Sequence, residues 1–130
     1  MKLTKGMRVL TVQQPLAKLI ALGVKKVEYR SWPTSHRGPL AIASSKAFPK
    51  YRRMQCEKQG IKRKLRKHHV TVDDLKRDCG KVLCITRIVE CRKRSDGSYG
   101  FKLRQKPMKV FDPPISIPPG GFHLGLWKWN

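Results

Sequence analysis

Acidic side chains are scarce in this chain of 130 residues. Eight Asp and Glu stand against thirty Lys and Arg, which gives a formal net charge of +22. A domain does not need such an excess in order to fold, and repulsion between the cations opposes folding. A polyanionic partner is the usual reason to keep the charge, so nucleic acid is the first candidate and an anionic membrane the second. A third interpretation is that the charge serves only solubility.

Long hydrophobic runs are also missing. The apolar segment from Leu16 to Val24 is interrupted by Lys18 and is too short to span a bilayer. The first six residues contain no apolar core of the kind that a secretory signal has. We therefore expect no membrane partner. We further expect a monomer that is located inside the cell, either in the cytoplasm or, in a eukaryote, in the nucleus.

Metal-binding patterns are absent from the cysteines. The four cysteines form no C-x-x-C pair and have no histidine at zinc-finger spacing: Cys56, Cys79, Cys84 and Cys91. Cys84 lies in an apolar segment, which is typical of a small core residue. We expect reduced thiols, no metal and no cofactor.

The chain has the size of one domain, and its 39% of hydrophobic residues can form one modest core. Five segments have the composition of short strands: Arg8–Val12, Val27–Trp32, Leu40–Ala43, Val82–Cys91 and Phe122–Trp129.

A helix is predicted from Pro15 to its stop at Gly23, and Asp96-Gly97 predicts a hairpin turn. After that turn Tyr99, Phe101 and Leu103 alternate with Lys102 and Arg104, while Pro113-Pro114 and Pro118–Gly121 indicate loops. The sequence thus predicts one α+β domain over residues 1–130, a small barrel of about five or six mixed strands with two or three flanking helices.

The segment from Lys46 to Lys67, here called the basic segment, is predicted to be helical. It contains ten Lys and Arg against one acid, Glu57, around a sparse apolar stripe of Tyr51, Met54, Ile61 and Leu65. Gly60 is predicted to weaken or split the helix, and Thr71 is predicted to cap a further helix that buries Leu75 and ends at Gly80. We expect a basic helical insertion at about 46–79 whose charges contact phosphates. A merely solvated face and a membrane-surface helix are the alternatives, and the narrow stripe without Trp disfavours the second.

The most specific pattern is Gly23-x-Lys25-x-x-Glu28-x-Arg30-Ser31-Trp32 followed by Arg37-Gly38. Together with Leu10–Pro15 before it and Gly125–Lys128 near the end, this pattern resembles the ASCH domain family, although Leu16 stands where a Trp commonly follows the proline. The resemblance implies a PUA-like β-barrel, a fold related to RNA-binding modules. It also implies a cleft framed by the early helix and the strand that follows it.

In that cleft Lys25 and Arg30 would donate to a phosphate or a base edge, and Glu28 would accept from a base amine or orient Lys25 and Arg37. Trp32 is either a stacking surface for a base or a core residue. The alternative role of Lys25 is to place its positive charge at the negative C-terminal end of the helix. We expect RNA rather than DNA as the partner. The candidate nucleic-acid-binding residues are Gln14, Lys25, Glu28, Arg30, Trp32, Arg37, Lys46, Lys62, Arg63, Lys64, Arg66, Lys67, Lys102 and Arg104.

An enzyme acting in the same cleft is the alternative that the resemblance implies. One branch of the wider family hydrolyses the amide of an acetylated cytidine with a Lys, an acid, and a Thr three residues after the Lys, where this chain has Glu28. Ribonuclease activity would need an acid and a base, for which Lys25 with Glu28, or Lys25 with His36, are the candidates. If the protein is an enzyme, Lys25 and Glu28 are the predicted catalytic residues. A cointegrator-like protein-interaction module is the third hypothesis.

Overall fold

Strands and helices alternate along the first part of the chain, and strands alone make up the last part. The computed structural model describes all residues, 1–130. The elements are β1 (Arg8–Val12), α1 (Leu16–Ala21), β2 (Val27–Arg30), β3 (Gly38–Ser44), α2 (Lys50–Gln55), α3 (Gln59–Lys67), α4 (Val72–Arg77), β4 (Lys81–Lys93), β5 (Tyr99–Leu103), β6 (Lys109–Ser116) and β7 (Leu126–Lys128). No helix is both long and apolar enough to cross a membrane.

All seven strands belong to one sheet, in which the order β2-β5-β4-β3-β1-β7 forms the main path and β6 pairs with β4. β1 and β3 run parallel, with Leu10 opposite Ile42, and every other pair is antiparallel. β2 and β7 are the two ends of this path. The register of β2 places Glu28 opposite Phe101 of β5.

The sheet is not closed into a barrel, so this part of the sequence prediction is wrong. The α+β class is confirmed, but there are seven strands and four helices. The reason lies in the length of β4, which has 13 residues. On one edge of β4, the first half pairs with β6 and the second half with β5. The sheet therefore branches at β4, and its end strands β2 and β7 are not paired with each other.

The core lies on both faces of the sheet. Along β3, Leu40 and Ile42 pack into a cluster that includes α1, while Ala41 and Ala43 pack into a second cluster with Trp127. All four β3 residues are completely buried. The prediction that this strand is buried on both faces is confirmed, and α1 is thereby fixed over the face that carries the larger cluster.

The helices α2, α3 and α4 lie between β3 and β4 in the chain and pack on a third cluster. Leu65 and Leu75 are buried in this cluster, but Tyr51 and Met54 of the predicted stripe are each 60% exposed. The predicted split of the helix is present. It falls at residues 56–58, however, and Gly60 lies inside α3.

The segment Pro113-Pro114 lies in β6 and not in a loop as predicted. The pairing between β4 and β6 shifts between Val82 and Cys84, and their partners are Ile115 and Val110. The prolines therefore occupy a stretch without ladder partners, where a missing N–H has no cost. The predicted closing strand from Phe122 is also shorter, since β7 begins at Leu126.

A capping box begins α4, as the sequence predicts. The Thr71 hydroxyl accepts from the Asp74 N–H at 3.1 Å, and the Asp74 carboxylate accepts from the Thr71 N–H at 2.8 Å. The hydrogen bond from the Thr71 backbone is the main reason that the pKa of Asp74 lies below its ordinary value. A carboxyl whose pKa is lowered by folding stabilises the fold above its unfolded pKa, and this contribution is lost as the pH falls through the folded pKa.

We therefore predict that Asp74→Asn lowers the unfolding midpoint at neutral pH more than Asp73→Asn does. Both changes remove one negative charge from the first turn of α4, but only Asp74 takes part in the capping box. The difference between the two variants should shrink as the pH is lowered into the acid range. Thermal unfolding followed by circular dichroism measures it, and a difference that is absent or independent of pH would contradict the capping account.

Candidate nucleic-acid interface

A cleft of about 490 Å³ lies where strands β1 and β2, the start of α1, the loop after α1, the residue after β3, helix α2 and the loop before β7 meet. Three cations and one carboxylate line it, together with hydroxyl, amide and apolar groups. The lining residues are Thr11, Val12, Gln13, Leu16, Lys25, Glu28, Tyr29, Arg30, Ser45, Arg52, Leu124 and Gly125. A smaller cavity of about 170 Å³ near Trp127 and Trp129 has no charged side chain in its wall. The larger cleft, by contrast, combines charged and polar side chains in one cavity.

Glu28 is the buried charge of the cleft, with an exposed fraction of only 5%. Its carboxylate lies 3.4 Å from Lys25 Nζ and accepts a hydrogen bond from Arg30 Nη2 at 2.9 Å. A buried carboxylate requires such partners, because it has lost its hydration. One negative and two positive charges leave this cluster with a net charge of +1.

The end of α1 holds Lys25 in place. Gly23 has a φ of +74°, a left-handed conformation that turns the chain back over the last helical turn. The N–H groups of Val24 and Lys25 then both donate to the carbonyl of Leu19, at 2.9 and 3.1 Å. The Lys25 ammonium in turn donates to the carbonyl of Val27. The spacing between Gly23, Lys25 and Glu28 thus follows from a helix stop that leads directly into a strand.

Arg30 connects β2 with β1, although these strands are not neighbours in the sheet. Besides its bond to Glu28, Arg30 Nη2 donates to the Thr11 carbonyl at 2.6 Å. The Thr11 hydroxyl donates to the His123 carbonyl at 2.6 Å and accepts from Trp127 Nε1 at 2.9 Å. The loop before β7 is therefore attached to the same wall of the cleft.

Helix α2 contributes Arg52 to the lining of the cleft, a residue that sequence reasoning did not select. Gln13 Oε1 accepts from Arg52 Nε at 2.9 Å and from the Tyr51 hydroxyl at 2.7 Å. Gln13 and Tyr29 were missed as well. The only sequence signal for Gln13 is its place beside the Gln14-Pro15 pair, and Arg52 is one of ten cations in the basic segment with nothing to single it out.

Comparison with known proteins identifies the family of this chain. A family model for the ASCH domain matches residues 10–107. The chain belongs to the ASCH domain family. Over 40 residues, or 31% of this chain, it is 52% identical to human activating signal cointegrator 1. The mouse protein of the same name is 50% identical over a match of the same length.

The match to the ASCH domain runs from Leu10 in β1 to the residues just after β5, so it includes the basic segment and all of the cleft lining except Leu124 and Gly125. β6 and β7 lie outside it. The matched segment covers only 7% of the length of the human and mouse proteins. The comparison therefore identifies the domain alone.

Within the ASCH domain, Lys25, Glu28 and Arg30 come together in the cleft. Gln14, Trp32 and Arg37, which were predicted from the same part of the sequence, lie outside it. Gln14 is completely buried, and its amide accepts from the Lys18 N–H at 2.9 Å and donates to the Leu75 carbonyl at 3.4 Å. It supports α1 and α4 and does not line the cleft.

Trp32 and Arg37 complete this group. The Trp32 ring is half-buried and packs edge-to-face on Phe101, with 5.3 Å between ring centroids. It belongs to the periphery of the core, in line with the core alternative considered for it. Arg37 is exposed on the loop before β3 and donates to the Thr34 carbonyl at 2.9 Å.

The remaining predicted cations lie on the surface of the domain. Lys62 is within 3.4 Å of Glu57, whereas four further cations of α3 are exposed and have no carboxylate within ion-pair distance: Arg63, Lys64, Arg66 and Lys67. Lys46 is exposed, with its ammonium 4.9 Å from the centre of the Phe122 ring. Lys102 and Arg104 are exposed at β5, outside the cleft.

The cleft does not present a free threonine hydroxyl. Thr11 is the only threonine in its wall, and the Thr11 hydroxyl is engaged both as donor and as acceptor. No group of three His, Cys, Asp or Glu side chains lies close enough together to hold a metal ion. The geometry thus offers positioned cations and one carboxylate, which suits the binding of an anion or a polar base edge.

We predict that Glu28→Ala destabilises the fold by about 3 kcal/mol, because it leaves Lys25 and Arg30 partly buried without their shared partner. Glu57→Ala is the matched control. Glu57 also pairs with a cation at 3.4 Å, but its side chain is 70% exposed, so we expect a loss within about 1 kcal/mol. Urea denaturation of both variants measures the difference. Equal midpoints would show that the buried cluster does not stabilise the cleft.

Proposed function

We propose that this ASCH domain binds nucleic acid, with RNA favoured over DNA. In this proposal the cleft holds a nucleotide and the basic segment contacts the phosphates that follow it. The observation that carries the proposal is the position of Arg52, which belongs to the basic segment and also lines the cleft. The segment of highest charge is therefore continuous with a cleft that contains positioned donors and acceptors.

Charge on the basic segment supports the phosphate-contact part of the proposal. Between Lys46 and Lys67 the net charge is ten minus one, or +9. Only Lys62 and the exposed Glu57 form an ion pair within this segment. Cations that have no partner in the protein are available to neutralise phosphates and to release the counterions condensed on them.

The chemistry of the cleft supports recognition of a nucleotide. Lys25 and Arg30 present donors for a phosphate oxygen or a base acceptor, and Glu28 is an acceptor for a base amine. Tyr29, which lines the cleft, and Tyr51, whose hydroxyl donates to Gln13 of the cleft wall, are 49% and 60% exposed and offer rings for stacking. Such contacts require bases that are not already paired, as in single-stranded RNA and RNA loops.

A hydrolase acting in the cleft and a protein-interaction module remain alternative hypotheses. The hydrolase would depend on Glu28, and a Glu28→Gln variant distinguishes it: RNA binding would survive the change, whereas turnover of RNA would be lost. The protein-interaction module would bind neither RNA nor DNA even at low salt, where electrostatic attraction is strongest.

We predict that replacing Lys62, Arg63, Lys64, Arg66 and Lys67 together by Gln weakens binding to all RNA sequences alike. Each phosphate contact on a single strand contributes about −0.7 to the slope of log K against log salt. The loss of five contacts should therefore flatten that slope by up to about 3.5. Fluorescence anisotropy with labelled single-stranded RNA, repeated at several salt concentrations, measures both effects. The fold should persist, because four of these side chains are exposed and Lys62 pairs only with exposed Glu57.

In the matched control, Gln replaces five exposed lysines that lie outside the basic segment and outside the cleft: Lys2, Lys5, Lys106, Lys109 and Lys128. The net charge of the two variants is the same. If both lose equal affinity and equal slope, only the total charge matters and the basic segment is not the phosphate-binding surface. If the unaltered protein binds no nucleic acid at low salt, the proposed function is wrong.

A further inference from the structure

A second groove of about 360 Å³ lies across β2, β5 and the end of β4, outside the cleft. Three of its lining residues are cations, Arg92, Arg94 and Lys102, and one is an acid, Glu90. Tyr29 lines both this groove and the cleft. The two cavities therefore adjoin each other at one exposed aromatic side chain of the edge strand β2.

Tyr29 is placed as a stacking residue. Tyr29 is 49% exposed, whereas its neighbour Glu28 is buried, because successive side chains of a strand point to opposite faces. The Arg94 guanidinium lies 4.3 Å from the centre of the ring, and the Lys25 ammonium lies 5.2 Å from it. Arginine planes and aromatic rings are the surfaces on which unpaired bases stack. The Arg94 guanidinium thus continues the stacking surface of the Tyr29 ring from the cleft towards the groove.

The cations of the groove are only partly neutralised by the protein. Arg92 pairs with Glu90. Arg94 has long contacts of 3.5 Å to Asp96 and 3.4 Å to Ser98, and these leave most of its five N–H donors without a partner. Lys102 is exposed and has no ion pair within the protein. A groove with this surplus of donors is complementary to an anion.

Gly100 keeps the floor of the groove open. Its φ lies outside the left-handed region, so the backbone does not require a glycine at this position. A Cβ built here would approach Val27 Cγ1 to 3.2 Å and the Tyr29 ring to 3.5 Å. A larger side chain would therefore crowd Tyr29 and occupy the space between that ring and the cations.

We propose that this groove is a second subsite for single-stranded nucleic acid, in which a phosphate contacts Lys102 and Arg94 and a base stacks on Tyr29 and Arg94. The strand then passes from the cleft across β2 into the groove. This inference rests on the proposed function and adds a path for the strand that involves no residue of the basic segment. A duplex does not fit the path, because its bases are already stacked and paired.

The test compares Lys102→Gln with Lys93→Gln by fluorescence anisotropy on a labelled single-stranded RNA of about twelve nucleotides and on a duplex of the same sequence. Both lysines are exposed on the same hairpin, but only Lys102 lines the groove. On the single strand, Lys102→Gln should reduce the slope of log K against log salt by about 0.7, and Lys93→Gln should leave it unchanged. Tyr29→Leu, which keeps apolar bulk but removes the ring, should weaken binding of the single strand by about tenfold and leave duplex binding unaltered.

Three results would overturn the subsite. If Lys102→Gln and Lys93→Gln behave alike while the unaltered protein binds RNA, the proposed function stands without the groove. Equal losses for the groove variants on single strand and duplex would remove the single-strand path. Failure of the unaltered protein to bind either RNA would refute both the proposed function and the subsite. Because Lys102 is exposed, its variant remains informative even if Tyr29→Leu fails to fold.

Discussion

The carboxylate of Glu28 is buried beside two cations, and this contact determines the geometry of the cleft. It fixes the ammonium of Lys25, which emerges from the end of α1, and the guanidinium of Arg30, which reaches across to the carbonyl of Thr11. Three separate segments are therefore held by one ionic cluster. Because the cluster has one more positive than negative charge, it retains attraction for an anion after its internal pairing is satisfied.

Repulsion among the cations constrains the rest of the domain. Helices α2 to α4 pack against Leu19 of α1 through few buried side chains, among them Cys56, Leu65 and Leu75, so nearly all of their charged groups must face the solvent. The same docking brings Arg52 to the mouth of the cleft. A highly charged surface and a cavity with positioned donors are thus adjacent as a result of packing. This adjacency is the basis for proposing nucleic acid as the ligand.

Features set by local sequence could be predicted, and features set by long-range packing could not. The stop at Gly23, the cap at Thr71 and the inward side chain of Leu75 each depend on a few neighbouring residues. The grouping of Lys25, Glu28 and Arg30 also follows from one helix end and one short strand. By contrast, the burial of Gln14 and the role of Arg52 depend on how distant helices dock. Barrel closure failed as a prediction because the two halves of β4 pair with different strands on one edge, which no local pattern specifies.

Photo-crosslinking of a single-stranded RNA to the unaltered protein, with mass-spectrometric mapping of the crosslinked peptides, tests the central claim most directly. The account predicts crosslinks at Tyr29, which lines the cleft, at Tyr51, which bonds to Gln13 of the cleft wall, and at peptides from α3. Competition with excess unlabelled RNA should remove them together. Crosslinks confined to β6 and β7, or spread evenly over all exposed lysine-containing peptides, would contradict a binding surface formed by the cleft and the basic segment.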